Sequence, residues 1–405
     1  MTLRDSRSFA AALVAFATFI DIVAYSIAVP VLPDLTRRLG ATPTTIGFLF
    51  ASFGVTLLVV SIPMGAISDR VGRKMPMVAG LLALAAATAM FAFAGSLPSL
   101  FTARLIQGAA DAVTWVVGFA LIADLYGPAE RGRVTGVIMA IASFAFMIGP
   151  TLGGWLYELG GIRLPFLALA AAALVGAAPF AWIRSHDSHA EREQVPIGVA
   201  LREPAIRACV LAVVAVSATM SMLEPVLALH LQTRVGLGPA QVGLVFGAVA
   251  VSNMAWHPLF GRAADSWGAR RLTIAGLFAV ACTLPIAGRM WSFESAIGLG
   301  ILQSAAFSIV ITPSLAYMAD AVSASGQGAF GVAYGLYNMA WGVGLLGGPA
   351  LGGFLFERMG FSRLTLAWAP VLALATMLLA RARSGSEARL KPDATKDDTV
   401  RTVRL

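Results

Sequence analysis

Twelve apolar runs, separated by short polar segments, dominate this chain of 405 residues. A helix needs roughly 20 apolar residues to cross about 30 Å of hydrocarbon. Backbone groups exposed to lipid must bond within their own segment or within a closed barrel, so runs of this length predict helices. We therefore expect an all-α integral membrane protein with 12 transmembrane helices, at residues 9–32, 45–67, 75–95, 98–123, 134–157, 163–183, 205–231, 240–261, 272–290, 294–319, 328–356 and 363–380.

Charge is scarce and unevenly distributed. Only 12% of the residues are charged, against about 25% in soluble domains. Most of the 29 Lys and Arg residues fall in the two termini and in alternate loops, and the positive-inside rule then predicts that both termini are cytoplasmic. The net charge of +8 follows largely from this asymmetry, and no basic patch outside the spans indicates a nucleic-acid partner.

The sequence repeats itself. Gly65, Asp69 and Gly72 recur 196 positions later, and the segment 149–154 recurs 199 positions later as 348–353. The repeat predicts two pseudo-symmetric six-helix halves, at 1–184 and 205–381, joined by a cytoplasmic linker at 185–204. The polar tail, 382–405, is expected to be disordered.

Three acids and one Arg lie well inside the predicted spans, away from the span ends, where ionisable groups mark functional sites by default. In the fourth run, Arg104, Gln107, Asp111 and Trp115 follow at intervals of 3, 4 and 4, which places them on one helix face. The other polar stripes are Asp21 with Tyr25, Ser217 with Ser221 and Glu224, and Ser304 with Ser308 and Thr312.

Enzymatic and metal chemistry find no support in the sequence. We see no nucleophile triad, no cluster of metal ligands and no phosphate-binding loop, so we predict that the protein is not an enzyme and holds no metal or cofactor. Cys209 and Cys282 lie in apolar runs and are expected to be packing residues. His230 and His257 are alternative titratable groups, although histidines near helix ends are more often interfacial.

Several motifs carry a resemblance to a known family. The loop 65–74 resembles the signature loop of the major facilitator superfamily, and Arg104, Gln107 and Gly108 resemble its fourth-helix motif. The segment 149–154, preceded by Gly136, is similar to the antiporter signature, with Ala145 where Gly is usual. Asp21, together with residues 29–33, 75–80, 130–132 and 222–225, resembles the vesicular amine transporters and their bacterial drug-exporting relatives.

This resemblance implies the major facilitator fold, with helices 1, 4, 7 and 10 around a central cavity. The expected substrate-binding residues are Asp21, Tyr25, Asp111, Trp115, Glu224, Ser308, Tyr334, Asn338 and Trp341. The expected proton-coupling residues are Asp21, Glu224, Arg104 and Asp111. A conformational latch is expected at Gly65, Asp69, Arg70, Gly72, Arg73, Lys74 and Arg131, and the antiporter motif comprises Gly136, Gly149, Pro150, Gly153 and Gly154.

The resemblance and the surplus of acids together imply proton-coupled antiport of amines or lipophilic cationic drugs. The partners would be a small cationic substrate, protons and the lipid bilayer of a bacterial inner membrane, with the proton gradient in place of a cofactor and a monomer as the working unit. Uptake of a neutral nutrient such as a sugar is the alternative. Phe53, Ser308 and Asn338 stand where the vesicular transporters carry a lysine and two aspartates, so the choice of substrate and the proton count stay open.

Overall fold

The structure is a computed structural model that describes residues 6–182, 202–324 and 330–382. The expected linker, 185–204, lies almost entirely outside these ranges. The expected tail, 382–405, lies outside them apart from Ala382.

The described residues form long helices, and eleven helical segments are long and apolar enough to cross a membrane. Gly360 has a φ of 73° and divides the last segment, Phe330–Arg381, into two helices, α11 (330–359) and α12 (361–381). The twelve predicted crossings are thereby confirmed. The other ten are α1 Arg7–Arg38, α2 Pro43–Val71, α3 Lys74–Ala92, α4 Leu97–Leu125, α5 Pro128–Gly160, α6 Arg163–Trp182, α7 Pro204–Val235, α8 Pro239–Trp267, α9 Ala269–Ala287 and α10 Phe293–Ala324.

Helix α1 continues beyond the predicted run and is interrupted once. It consists of Arg7–Ser26 and Ala28–Arg38, which meet at Ile27. Pro30 and Pro33 have no N–H to donate to the preceding turn, so the hydrogen-bond ladder is weakened where the two pieces join. Asp21 and Tyr25 therefore lie just before a bend in the helix.

Within each half, Gly residues allow two helices to pack closely. A Cβ added at Gly149 of α5 would lie 3.0 Å from the Ser26 Cβ of α1, and one added at Gly153 would lie 2.6 Å from the Ile27 O. Small residues commonly provide such close contact between membrane helices. The second half repeats the arrangement between α11 and α7, with Gly348 and Gly352 against Ser221 and Met222.

The two halves meet along a second set of Gly contacts, which we call the glycine seam: Gly47, Gly154, Gly243 and Gly353. Gly47 of α2 faces Gly353 of α11, and a Cβ on Gly353 would lie 2.9 Å from the Gly47 Cα. By the internal symmetry, Gly243 of α8 faces α5, where the Thr151 hydroxyl donates to the Gly243 O at 3.0 Å. The seam joins the first parts of α2 and α8 to the last parts of α5 and α11, so we call the side where α2 and α8 begin the closed side.

An acid from the opposite half caps α2 on the closed side. The Glu357 carboxylate of α11 accepts a hydrogen bond of 2.9 Å from the Thr44 N in the first turn of α2. A carboxylate there satisfies a free N–H and faces the positive end of the helix dipole. The symmetry-related Glu158 lies close to Gly238, at the start of α8, with its Oε1 3.9 Å from the position of an added Cβ.

We expect Gly154→Val to open the glycine seam. Its Cβ would lie 2.7 Å from the Ala240 Cα, and overpacking of this kind costs about 1–3 kcal/mol. Spin labels at the exposed residues Leu159 and Leu244 would then show a longer separation between α5 and α8. Gly136→Val is the matched control, because an added Cβ there meets nothing within 4 Å. An unchanged separation in Gly154→Val would contradict the close packing at this contact.

Replacement of Glu357 by Gln is expected to weaken the closed side less severely. The uncharged amide interacts less favourably with the positive end of the helix dipole, so the ratio of closed to open molecules should fall. The same spin-label separation reports this change. Glu158→Gln provides the comparison, because no described residue donates a hydrogen bond to that carboxylate. An equal effect of both substitutions would refute the assignment to the Thr44 contact.

Candidate functional site

Two acids on neighbouring helices face each other in the first half. The Asp21 side chain on α1 and the Asp111 side chain on α4 are 1% and 5% exposed, and their carboxyl groups lie within hydrogen-bonding reach. Two carboxyl groups form such a bond only when one of them keeps a proton. The Asp21 Oδ2 is buried without a hydrogen-bond partner among the described residues, so the pair has an open acceptor.

Aromatic rings surround the buried Arg104. Its guanidinium carbon lies 5.5 Å from the ring centre of Tyr25, 4.6 Å from that of Phe50 and 5.4 Å from that of Phe91, and its side chain is fully buried. Nη1 donates to the Gln107 Oε1 at 2.9 Å, whereas Nε and Nη2 find no acceptor among the described residues. Ring faces attract a desolvated cation by about 2 kcal/mol, so the three rings help to stabilise the buried guanidinium charge.

A side-chain hydrogen bond crosses between the halves at the centre of the bundle. The Tyr25 hydroxyl of α1 donates to the Glu224 Oε2 of α7 at 2.8 Å. Glu224 also interacts electrostatically with Arg104, and its Oε1 is buried without a hydrogen-bond partner in the described part of the chain. The structure thus brings Asp21, Tyr25, Arg104, Asp111 and Glu224 into one central cluster.

The polar stripe on α10 does not join this cluster. The Ser308 hydroxyl is fully buried and donates to the Asn253 Oδ1 of α8 at 3.0 Å. Helical periodicity identified a polar face correctly, but the neighbour of that face is α8. Two more pairs join α8 and α10: Ser304 with Ser252 at 2.9 Å, and Thr312 with the His257 Nδ1 at 2.7 Å. We call these three pairs the α8–α10 zipper.

The serines of α7 are also used in packing. The Ser221 hydroxyl donates to the Gly344 O of α11 at 2.8 Å, and the Ser217 hydroxyl lies 3.5 Å from the Ala340 O. Of the predicted stripe on α7, only Glu224 belongs to the central cluster.

The expected substrate-binding residues with aromatic rings are only partly brought together. The Trp341 and Tyr337 rings of α11 are 6.4 Å apart, and Asn338 beside them is exposed. Trp115, one helical turn from Asp111, stacks on Phe119 at 5.4 Å. The side chain of Tyr334 lies outside the described part of the structure.

The expected latch is bonded within the first half. Arg73, after the positive-φ turn at Gly72, donates to the Asp124 Oδ2 at 2.9 Å and pairs with Asp69 at 2.5 Å. Arg131 donates to the Ala123 O at 2.7 Å near the end of α4. Gly65, Arg70 and Lys74 are at least partly exposed beside this cluster. Asp124 is not among the residues that the sequence predicted for the latch.

The antiporter motif divides between two interfaces. Gly149 and Gly153 face α1 within the first half, whereas Gly154 and Pro150 face α8 across the seam, and Gly136 contacts neither. The motif therefore contributes to packing both inside the first half and between the halves.

The second half lacks the buried Arg. Gly300 occupies the position equivalent to Arg104, and an added Cβ there would lie 2.7 Å from the Val249 Cγ2. Gln303, the equivalent of Gln107, is buried, and neither atom of its amide has a hydrogen-bond partner among the described residues. The central charges are therefore concentrated on α1 and α4, with Glu224 the contribution of α7.

The remaining titratable candidates lie away from the cluster. The His230 Nε2 is 2.9 Å from the Met290 O, and its ring stacks on Phe361 at 4.6 Å. Cys209 is buried against the Ser314 O, while Cys282 is exposed, and both thiols are free.

Comparison with known proteins agrees with the fold. The sequence matches the Major Facilitator Superfamily over residues 14–224 and 209–404. The chain therefore belongs to the major facilitator superfamily of membrane transporters.

Its relatives include vesicular transporters. The probable vesicular acetylcholine transporter-B of Danio rerio is 29% identical over 376 residues, covering 87% of this chain and 75% of the relative. The chromaffin granule amine transporter of Homo sapiens is 29% identical over 325 residues, covering 78% of this chain and 61% of the relative. A solved bacterial homolog of the human lysosomal transporter Spinster, inward-facing and occupied, has a TM-score of 0.78 at 14% identity and covers 95% of this chain and 98% of its own.

We expect Arg104→Lys to destabilise the protein although the charge is kept. A lysine loses the planar group that contacts three rings, and the change should reduce the free energy of unfolding by about 1–3 kcal/mol. Thermal unfolding in detergent micelles measures this. Arg163→Lys serves as the control, because Arg163 is exposed and contacts a single ring, that of Phe93. Equal melting temperatures for Arg104→Lys and the wild type would show that the rings contribute little.

Proposed function

We propose that this transporter exchanges protons for amines or lipophilic organic cations, in a bacterial inner membrane with both termini in the cytoplasm. The observation that carries the proposal is the Asp21–Asp111 pair, which is buried at mid-span. Among the described residues, the Asp21 Oδ2 has no hydrogen-bond partner. Anionic oxygen atoms in an apolar bundle attract positive charge, and the chain's resemblance to acetylcholine and amine transporters supports an organic cation as the source.

The Asp21–Asp111 pair can be neutralised by a proton or by a cation, and it does not need both. Two adjacent carboxyl groups cannot both stay ionised without a positive charge between them. A proton satisfies this requirement in the empty site, and an ammonium group would satisfy it in the loaded site. Because either occupant removes the need for the other, binding of the cation would release the proton to the side from which the cation came.

Glu224 and the aromatic side chains would complete the binding site. The open Glu224 Oε1 offers a further acceptor on the opposite half, and Trp115 and Trp341 provide ring faces for the organic part of a cation. Substrate contact at Ser308 would first require its bond to Asn253 to break, so we give that residue a lesser role.

Alternating access follows from the seam. If loop charge sets the orientation, the closed side faces outward. A cation would enter from the cytoplasm, and release would require the glycine seam to part while the Arg73 cluster and the neighbouring helix ends close the inner side. Parallel halves related by an axis along the membrane normal fit such rocking.

Proteoliposomes test this function. With an acidic lumen, the purified protein should drive uptake of labelled amines or cationic dyes, and Asp21→Asn should reduce uptake to that of empty vesicles. Glu294→Gln, an exposed acid at the start of α10, is the control and should retain transport. Entry of a labelled sugar without regard to the pH gradient would instead favour the neutral-nutrient alternative.

A further inference from the structure

Glu224 has one hydrogen-bond donor that comes from the other half. The Tyr25 hydroxyl reaches its Oε2 at 2.8 Å, while its Oε1 is buried without a hydrogen-bond partner among the described residues. A phenol hydroxyl has a single proton and an ionised carboxylate has only acceptors, so Tyr25 is the donor while Glu224 is ionised. The bond therefore joins α1 to α7, and it depends on the charge of the Glu224 carboxyl group.

The Tyr25 ring is held from two sides. Its centre lies 4.9 Å from that of Phe53 on α2 and 5.5 Å from the Arg104 guanidinium on α4. These contacts involve the ring face and edge and do not use the hydroxyl. A Phe at this position would keep both contacts and would lose only the bond to Glu224.

The strength of the bond depends on charge. Hydrogen bonds to an ionised acceptor are about twice as strong as neutral ones. Neutralisation of Glu224 by a proton, or screening of its charge by a bound cation, would weaken the tie between α1 and α7. The groups that act electrostatically on the carboxyl are Tyr25 and Arg104, and Asp111 acts in turn on Tyr25.

We propose that Tyr25 is a positioning residue that stabilises the charged form of Glu224 and converts its neutralisation into loosening of the two halves at mid-membrane. This role rests on the proposed proton-coupled exchange and adds the link between charge and conformation. Tyr25, expected from the sequence to bind substrate, acts in this account through Glu224. Ser26, next to Tyr25, packs against Gly149 of α5, and Met222, near Glu224, packs against Gly352 of α11. Because α5 and α11 carry two of the seam glycines, weakening of the bond would act close to where the halves must part.

The full chain in lipid nanodiscs, labelled at Leu159 and Leu244, provides the test. Spin-label separation is measured against pH with no substrate present. Loss of the donor disfavours the ionised carboxyl, so in Tyr25→Phe the transition between closed and open forms should move to higher pH by about half a unit. The closed fraction above the transition should also fall.

A double-mutant cycle separates this role from simple packing. Glu224→Gln should remove the pH response that Tyr25 modifies, so Tyr25→Phe should have no further effect in that background. The same shift in both backgrounds, or no shift in the wild-type background, would overturn the proposal. Should Tyr25→Phe fail to fold, Glu224→Asp withdraws the acceptor by one methylene and must shift the transition in the same direction.

Transport assays on the same preparations distinguish the two levels of inference. Wild-type exchange of a cationic dye for protons, with an unshifted Tyr25→Phe transition, would refute the link and leave the proposed function standing. A shifted transition in a protein that moves no cation would refute the exchange, and the link as a coupling element with it.

Discussion

Burial of charge in an apolar bundle is the constraint on which this structure depends. An unpaired ionised group in hydrocarbon is expensive, and the bundle answers this in three different ways. Asp21 and Asp111 face each other, Arg104 lies among aromatic rings, and Glu224 takes a hydrogen bond from the opposite half. Each solution fixes the position of a helix, so the same contacts that make the charges tolerable also organise the centre of the protein.

Sequence patterns predicted the helices and their repetition well, because hydrophobic length and glycine spacing are local properties. The acids at 21, 111 and 224 were likewise found from their rarity. The pairing of Asp21 with Asp111 was not predicted, since periodicity placed Asp111 on one face of α4 with Arg104 and did not identify the helix opposite. Periodicity defines the face of one helix and carries no information about the helix opposite.

The same limit explains the misplaced α10 stripe. Ser304, Ser308 and Thr312 share a face as predicted, but α8 presents matching polar groups at Ser252, Asn253 and His257, and the two faces satisfy each other. Phe50 and Phe91 were missed for a related reason. A Phe that contacts a buried Arg cannot be told apart, in an apolar run, from one that contacts lipid.

The α8–α10 zipper has a mechanical consequence. Three polar side-chain pairs along α8 and α10 resist sliding of one helix along the other. A shift by one residue would break all three hydrogen bonds at once, and the surrounding hydrocarbon offers no other hydrogen-bond partner. The two helices therefore move as one rigid unit. Conformational change during turnover must occur in less constrained segments, such as the interrupted α1. Probes at different positions along α8 and α10 would record the same displacement.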